Sequence, residues 1–387
     1  MRSVSFTGNN QITLLHSGAD YFPALEAAFE GAVSEIYLET YIFGADPTAS
    51  RIKEALIRAA RRGVRVFVMT DWIGTGRTQS RLLHDEFASH GVRHRSFNPW
   101  FRRGVARTHR KICVVDHQQA FLGGLNINND LISDDDSAAP LPAPRWDFAV
   151  GITGPLVNAI HREITQQWAR MGNLDLKTRW DKFRHARGTH IETGAAPAIA
   201  GIVVRDNLRN RRTIQRAYLQ ALGRAKHSAW LANPYFAPGR KMRSALAHAA
   251  KRGVKVTLLL GVGQFKIQDA VAQSYYPILL EAGVQIVEYQ KTQLHAKVAV
   301  VDDEWATVGS SNYDGFSLFV NQEANVVVKD AAFAGTLRRQ IELGVADGDV
   351  VAKRTFENMA WYRRAWHGMA FYGYRSLMMV ITLGKYT

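Results

Sequence analysis

A duplicated α/β sandwich, one fold built twice in a single chain, is the class that this 387-residue sequence predicts. Three observations lead to it. The skeleton His-x-Lys-x4-Asp-x6-Gly-small-x-Asn occurs in "RTHRKICVVDHQQAFLGGLN" (Arg107 to Asn126) and again in "QLHAKVAVVDDEWATVGSSN" (Gln293 to Asn312). The flanks repeat as well: Ile36–Asp71 and Ala229–Gly261 each run apolar strand, Pro or Gly turn, helical pattern, Arg-Gly-Val, apolar strand. The pairs Gly63/Gly253, Gly91/Gly283 and His109/His295 are all separated by about 190 residues, which is the mark of an internal duplication. Finally, "VRVFVM" and "VKVTLLL" are almost wholly apolar, as strands covered by helices on both faces are.

Each copy reads strand, helix, strand, helix, strand, then the His-bearing strand. The helices show apolar residues three and four apart, at Ile52, Leu56, Ala59 and Ala60 and again at Met242, Leu246, Ala249 and Ala250. The expected organisation is a first domain over 1–170, a linker over 171–200, a second domain over 201–350 and a basic, aromatic tail over 351–387. The linker carries "RHARGTH" and the low-complexity "ETGAAPAIA". The first copy also contains "NNDLISDDDSAAPLPAPR", whose acidic and Pro-rich character predicts a surface loop.

Hydrophobic residues make up 47% of the chain and charged residues 21%, the balance of a folded protein. The single cysteine, Cys113, excludes an intrachain disulfide and a thiolate metal cage, and is expected to fill a buried strand. A net charge of +15, from 49 Lys and Arg against 34 Asp and Glu, predicts a polyanionic partner, either nucleic acid or an anionic membrane surface. Neither a signal peptide in "MRSVSFTGNNQITLL" nor an apolar run of about 18 residues is expected, which predicts a soluble or surface-bound protein.

In a strand, residues two apart share a face, so His109 and Lys111 project together, as do His295 and Lys297. Asp116 and Asp302 have the opposite parity and are read as supporting groups that bond backbone or a neighbouring cation. Asn126 and Asn312 can return to the cluster after the next strand. Two copies facing one another then offer two imidazoles, two ammonium groups and two amides, a set suited to a phosphodiester. Lys and Asn hold the non-bridging oxygens. One imidazole attacks phosphorus while the other protonates the departing oxygen. A single imidazole cannot serve both ends of an in-line displacement.

The doubled motif resembles the signature of the phospholipase D superfamily. That resemblance implies two pseudo-symmetric α/β/α sandwich domains sharing one active site, and a covalent phosphohistidine without metal or other cofactor. It implies a catalytic set of His109, Lys111, Asp116, His295, Lys297 and Asp302, with Asn126, Asn312 and Ser310 on the phosphate. The first copy has Gly124 where the second has Ser310, so a hydroxyl contact is in doubt on that side. The resemblance further implies an acidic residue downstream to orient each His: Asp147 in "RWDFAV" and Glu323 in "NQEANVVV". It assigns nucleophilic attack to His109 and acid/base work to His295, an order the residues themselves leave open.

Within the superfamily, "ETYIF", "AARRGVRV", "HRKICVVD", "LLEAGVQIVEY" and "LHAKVAVVD" are similar to the bacterial cardiolipin synthases, in the form lacking N-terminal transmembrane helices. The similarity runs from about Gln11 to Asp330. It implies transfer of a phosphatidyl group onto the glycerol hydroxyl of phosphatidylglycerol, by a peripheral enzyme at the cytoplasmic face of the cell membrane. Trp100, Arg102 and Arg103 before the first motif, and Trp361 and Trp366 in a tail free of acidic residues from Asn358, are the expected membrane contacts. The alternatives are a hydrolytic phospholipase D and a nuclease. Nucleic acid is the less favoured partner, because the local stretches match the lipid-transfer branch. A tethering module with a dead site is opposed by the intact His, Lys and Asn of both copies. The oligomeric state is left open.

Overall fold

The computed structural model describes residues 4, 6–101, 104–133, 138–172, 198–206, 210–357 and 359–382. Two compact units account for them: Val4–Asn129 with Ala149–Ile202, and Val203–Thr387 with Asp130–Phe148.

The first unit runs β1 (Thr7–His16), α1 (Ser17–Glu30), β2 (Glu35–Thr40), α2 (Pro47–Arg61), β3 (Arg65–Asp71), α3 (Arg77–Ser89), β4 (Arg93–Phe97), β5 (Ile112–Val115), β6 (Gln119–Gly123), β7 (Phe148–Thr153) and α4 (Leu156–Met171). Its strand order is β7-β6-β5-β2-β3-β4. The βαβ segments make β2, β3 and β4 parallel, while the hairpin-linked β5 and β6 run antiparallel beside β2. At the start of α2 the Asp46 carboxylate accepts the Ala49 N–H at 3.0 Å and Pro47 occupies the first turn. Just beyond α2 the chain reverses through Gly63 at φ +92°, a conformation that favours glycine. Leu25, Phe29, Ile52 and Leu56 pack on one sheet face against Ile36, Leu38, Val66, Val68 and Cys113. On the other face Phe67 stacks on Tyr37 at 4.4 Å and meets Trp168 of α4 edge-on at 5.2 Å. The apolar strands are thus covered on both sides, and Cys113 is buried filler.

The second unit begins inside β8 (Ala198–Arg205), whose first residues belong to the first unit and pair there with β1, and runs through α5 (Thr213–Arg224), β9 (Ser228–Asn233), α6 (Arg240–Lys251), β10 (Lys255–Leu260), α7 (Lys266–Ser274), α8 (Tyr276–Glu281), β11 (Gln285–Tyr289), β12 (Val298–Val301) and β13 (Trp305–Gly309). It continues with α9 (Gly315–Phe319), β14 (Glu323–Lys329), α10 (Ala331–Ala346), β15 (Gly348–Val350), α11 (Lys353–Glu357) and α12 (Trp361–Ile381). The strand order β15-β11-β10-β9-β12-β13-β14 repeats that of the first sheet, with β15 added at one edge.

The two compact units do not divide the chain at a single point. Asp130–Phe148 lies in the first copy by sequence but belongs to the unit built on the second. Backbone pairing is the reason: the Trp146 N–H donates to Gln293 O at 2.9 Å, and Trp146 O accepts the N–H groups of His295 and Ala296 at 3.0 Å. Arg145 and Trp146 are buried there, so the expected surface loop ends as an integral part of that unit. Residues 134–137 of that loop and 173–197 of the expected linker lie outside the described residues.

The tail forms α12, which combines two characters. Met378 is fully buried against Val320, with Phe316, Phe319, Tyr374 and Ile381 around it, and the Tyr374 hydroxyl accepts the Gly315 N–H at 2.7 Å. Trp361, Trp366, Met369, Tyr372 and Val380 remain exposed. Among the described residues no helix is long and apolar enough to cross a membrane.

Candidate active site

His109 and Lys111 lie immediately before β5, and His295 and Lys297 immediately before β12, rather than inside those strands. The alternation of facing survives there. In the first copy, Thr108 and Arg110 turn to the opposite side from His109 and meet Glu39 of β2. The Thr108 hydroxyl donates to Glu39 Oε1 at 2.5 Å, and Arg110 donates to both Glu39 oxygens at 3.2 and 2.7 Å. Glu39 is fully buried, so this charged pair makes a fixed platform under the motif. Asp71, at the end of β3, accepts the Thr108 N–H at 2.8 Å along with those of Ile73 and Gly74. Burial pushes its carboxyl up to about 6 against the pull of those N–H groups.

On the reactive side, Tyr41 packs edge-on to His109, with ring centroids 4.9 Å apart, and receives a hydrogen bond from Arg107 at 2.9 Å. Lys111 is 2% exposed; its ammonium donates to His109 O at 2.8 Å and lies 5.3 Å from the centre of the Tyr41 ring. Asn126 accepts the Ile42 N–H at Oδ1, 3.3 Å away, which leaves its NH2 as the donating end.

In the second copy, His295 Nδ1 lies 2.5 Å from Asp147 Oδ2. That contact fixes the ring. Asp147 is itself held by the Phe148 N–H at 2.8 Å. Asp147 therefore follows the first motif in sequence yet orients the histidine of the second. The Asp130–Phe148 excursion brings it there. The Lys297 ammonium donates to His295 O and stands 4.0 Å from the same Asp147 oxygen. Burial pushes this ammonium down to about 8, although Asp147 and Glu323 pull it upward.

Ser310, expected to contact phosphate, lies beside Glu323. Its hydroxyl donates to Glu323 Oε2 at 2.5 Å and accepts the Ala324 N–H at 3.1 Å. A hydroxyl has one proton, and here that proton is held by Glu323. Ser310 thus positions the carboxylate. Asn312 is buried nearby, and its Oδ1 has no hydrogen-bond partner among the described residues.

The motif aspartates stand apart from the reactive side chains, as their parity requires. Asp116 accepts the N–H groups of Val33, Ser34 and Glu35, each at 2.8 Å. Asp302 does the same for Lys226, His227 and Ser228 at 2.7, 2.8 and 2.9 Å. Each occupies a hairpin turn with positive φ, 52° at Asp116 and 53° at Asp302, a conformation that Asp tolerates. They lock the far end of the hairpin, not the reactive groups.

Of the expected membrane contacts, Trp100 is exposed, lies tilted against Trp72 with ring centroids 5.5 Å apart and carries Arg77 over its ring at 4.1 Å. Trp361 and Trp366 are exposed on α12, whereas Arg102 and Arg103 lie outside the described residues. Glu39, Tyr41 and Asp71 were not singled out by the sequence reading. The available signal was a carboxylate alternating with apolar residues in "IYLET", opposite an arginine of the wrong parity in "THRK".

Known proteins resemble this chain in sequence and in fold. The family described as cardiolipin synthase, phospholipase D-like domain, matches residues 25–137 and 218–343. The chain is 36% identical over 372 residues to cardiolipin synthase B of Salmonella typhi, covering 92% of this chain and 87% of that one. It is 35% identical over 376 residues to cardiolipin synthase B of Escherichia coli (strain K12), covering 94% and 88%. Among solved structures, the fold is similar to phosphatidylserine synthase of Haemophilus influenzae Rd KW20, with a TM-score of 0.70 at 14% identity over 96% of this chain and 95% of that one. The duplicated motif, the repeated sheet and these relatives converge: the chain belongs to the cardiolipin synthase family of phospholipase D-like proteins.

Proposed function

We propose that the protein is a phosphatidyltransferase that forms cardiolipin, with phosphatidylglycerol as the acceptor lipid, and that both motifs act on one phosphodiester. The imidazole of His109 attacks phosphorus, forming a P–N bond as the bond to the head-group oxygen breaks. His295 Nε2 gives its proton to that oxygen. The glycerol hydroxyl of phosphatidylglycerol then enters, loses its proton to His295 and displaces His109, which restores both rings. Lys111, Lys297, Asn126 and Asn312 neutralise or bond the phosphoryl oxygens as charge builds on them. The observation that carries this reading is the duplicated His, Lys and Asn set, with a buried Asp147 behind His295, in a chain of this family.

The proposed setting is the cytoplasmic face of an anionic membrane. The +15 net charge and the exposed aromatic side of α12 support that placement.

Purified protein is to be incubated separately with labelled phosphatidylglycerol, with phosphatidylethanolamine plus phosphatidylglycerol, and with single-stranded DNA. Cardiolipin is the expected product; phosphatidate alone would indicate a hydrolase, and cut DNA a nuclease. His109→Ala and His295→Ala should each lose turnover, and mixing the two variants should restore none. Half-activity in either variant would mean that each copy works by itself, against the shared mechanism.

A further inference from the structure

Glu35, His117 and His161 bring three potential metal-ligand atoms within 4.8 Å of one another on the first unit. This cluster is separate from the motif side chains: His109 and Lys111 precede β5, whereas His117 follows it in the turn to β6. Glu35 opens β2, and His161 lies on α4, which covers the same sheet face. The two Nε2 atoms converge on one carboxylate oxygen, Glu35 Oε1, from 2.6 Å for His117 and 2.9 Å for His161. Their rings lie 3.5 Å apart, centre to centre.

The surroundings hold this arrangement in place. Asp116 grips the backbone N–H groups of Val33, Ser34 and Glu35, which ties the start of β2 to the turn bearing His117. Arg65 occupies the other Glu35 oxygen at 2.7 Å, so Oε1 alone faces the imidazoles. The Glu35 and His161 side chains are largely buried, while that of His117 is 42% exposed and gives a path from solvent. The second copy has a plain ion pair at the corresponding turn, Asp303 with Arg338 of α10 at 3.1 Å. Among the described residues, only the first copy presents two imidazoles and a carboxylate.

We propose that Glu35, His117 and His161 bind one divalent transition-metal ion of the zinc class, through Oε1 and the two Nε2 atoms, with water completing the coordination. Two imidazoles and one carboxylate form an established donor set for such borderline ions. Bond lengths of about 2.0–2.2 Å place neighbouring tetrahedral ligands roughly 3.3 Å apart, so the cluster needs to open by less than about an ångström. The exposed turn carrying His117 can supply that movement. On binding, each imidazole presents its Nε2 lone pair, and any proton there moves to Nδ1 or to solvent. The ion would tie the β5–β6 turn, the start of β2 and α4 together as a staple.

The test uses the full chain without an affinity tag, stripped with a chelator and titrated with Co2+ for its visible absorption and with Zn2+ by calorimetry. One ion per chain should bind, and Zn2+ should raise the thermal unfolding temperature. His117→Asn, chosen because Asn tolerates the positive φ of 59°, should weaken binding by at least about 10- to 100-fold, the loss that even supporting residues of metal sites produce. His161→Gln should do the same, and the control His90→Ala should bind normally. The proposal is overturned if no one-to-one complex forms at micromolar metal, or if His117→Asn, folded by circular dichroism, binds as tightly as the parent chain.

Discussion

Lys297 is fully buried, and its ammonium, pushed down to about 8 by that burial, loses its charge progressively as pH rises through that value. As pH rises through about 8 the phosphate loses one cationic partner, so kcat/KM should fall on an alkaline limb there. Lys297→Arg keeps its charge and should move the limb upward while lowering the maximum rate, because a planar guanidinium cannot occupy the place of a compact ammonium. A parent profile that stays level to pH values well above 8 would contradict this assignment. Asp147 acts through His295. Asp147→Asn should cut kcat by roughly a hundred- to ten-thousand-fold, as when the carboxylate behind a catalytic imidazole is replaced, and should also lower the unfolding temperature, because buried Lys297 loses a counter-charge 4.0 Å away. Single-turnover kinetics with labelled lipid measures that loss directly.

At the scale of elements, the motif aspartates are hairpin locks. Burial alone would raise the Asp302 carboxyl, but the N–H groups of Ser228, His227 and Lys226 outweigh it and hold the carboxyl below the usual range. A depressed carboxyl stabilises the fold above its unfolded value of about 3.9, and that contribution disappears as pH falls through the folded value. Asp302→Asn, which keeps a side chain suited to positive φ, should therefore cost about 0.5–1 kcal/mol at neutral pH, because solvent screens this largely exposed carboxylate. The gap to the parent chain should close in acid. Urea unfolding at the two pH values checks both halves of the statement. The helix α12 is likewise anchored on one side, by Met378 and Tyr374, while its other side carries aromatic and long apolar groups in water.

For the whole molecule, the +15 charge and the exposed side of α12 should act together on an anionic surface. The charge attracts over a Debye length and is screened by salt. Apolar insertion is not screened. The combined replacement of Trp361, Trp366 and Tyr372 by Ala should weaken sedimentation with phosphatidylglycerol vesicles by at least about tenfold, equivalent to ~1.4 kcal/mol. The weakening should persist at high salt. Equal sedimentation of parent and variant would return this face of α12 to an ordinary solvent-exposed surface.

The duplication and the two sandwiches were legible in the chain itself, because repeated spacing and strand parity are local properties. Asp116 and Asp302, whose parity differs from that of the histidines, bond backbone N–H groups. Tertiary structure alone decided which carboxylate serves which imidazole. Asp147 reaches His295 because a backbone excursion pairs Trp146 with the chain around Gln293 and Leu294, across more than a hundred residues of sequence. It also turned the Ser310 hydroxyl toward Glu323, and placed Glu39 beneath Arg110. Those choices depend on how buried polar groups find partners once water is excluded, and spacing along the chain carries no record of that competition.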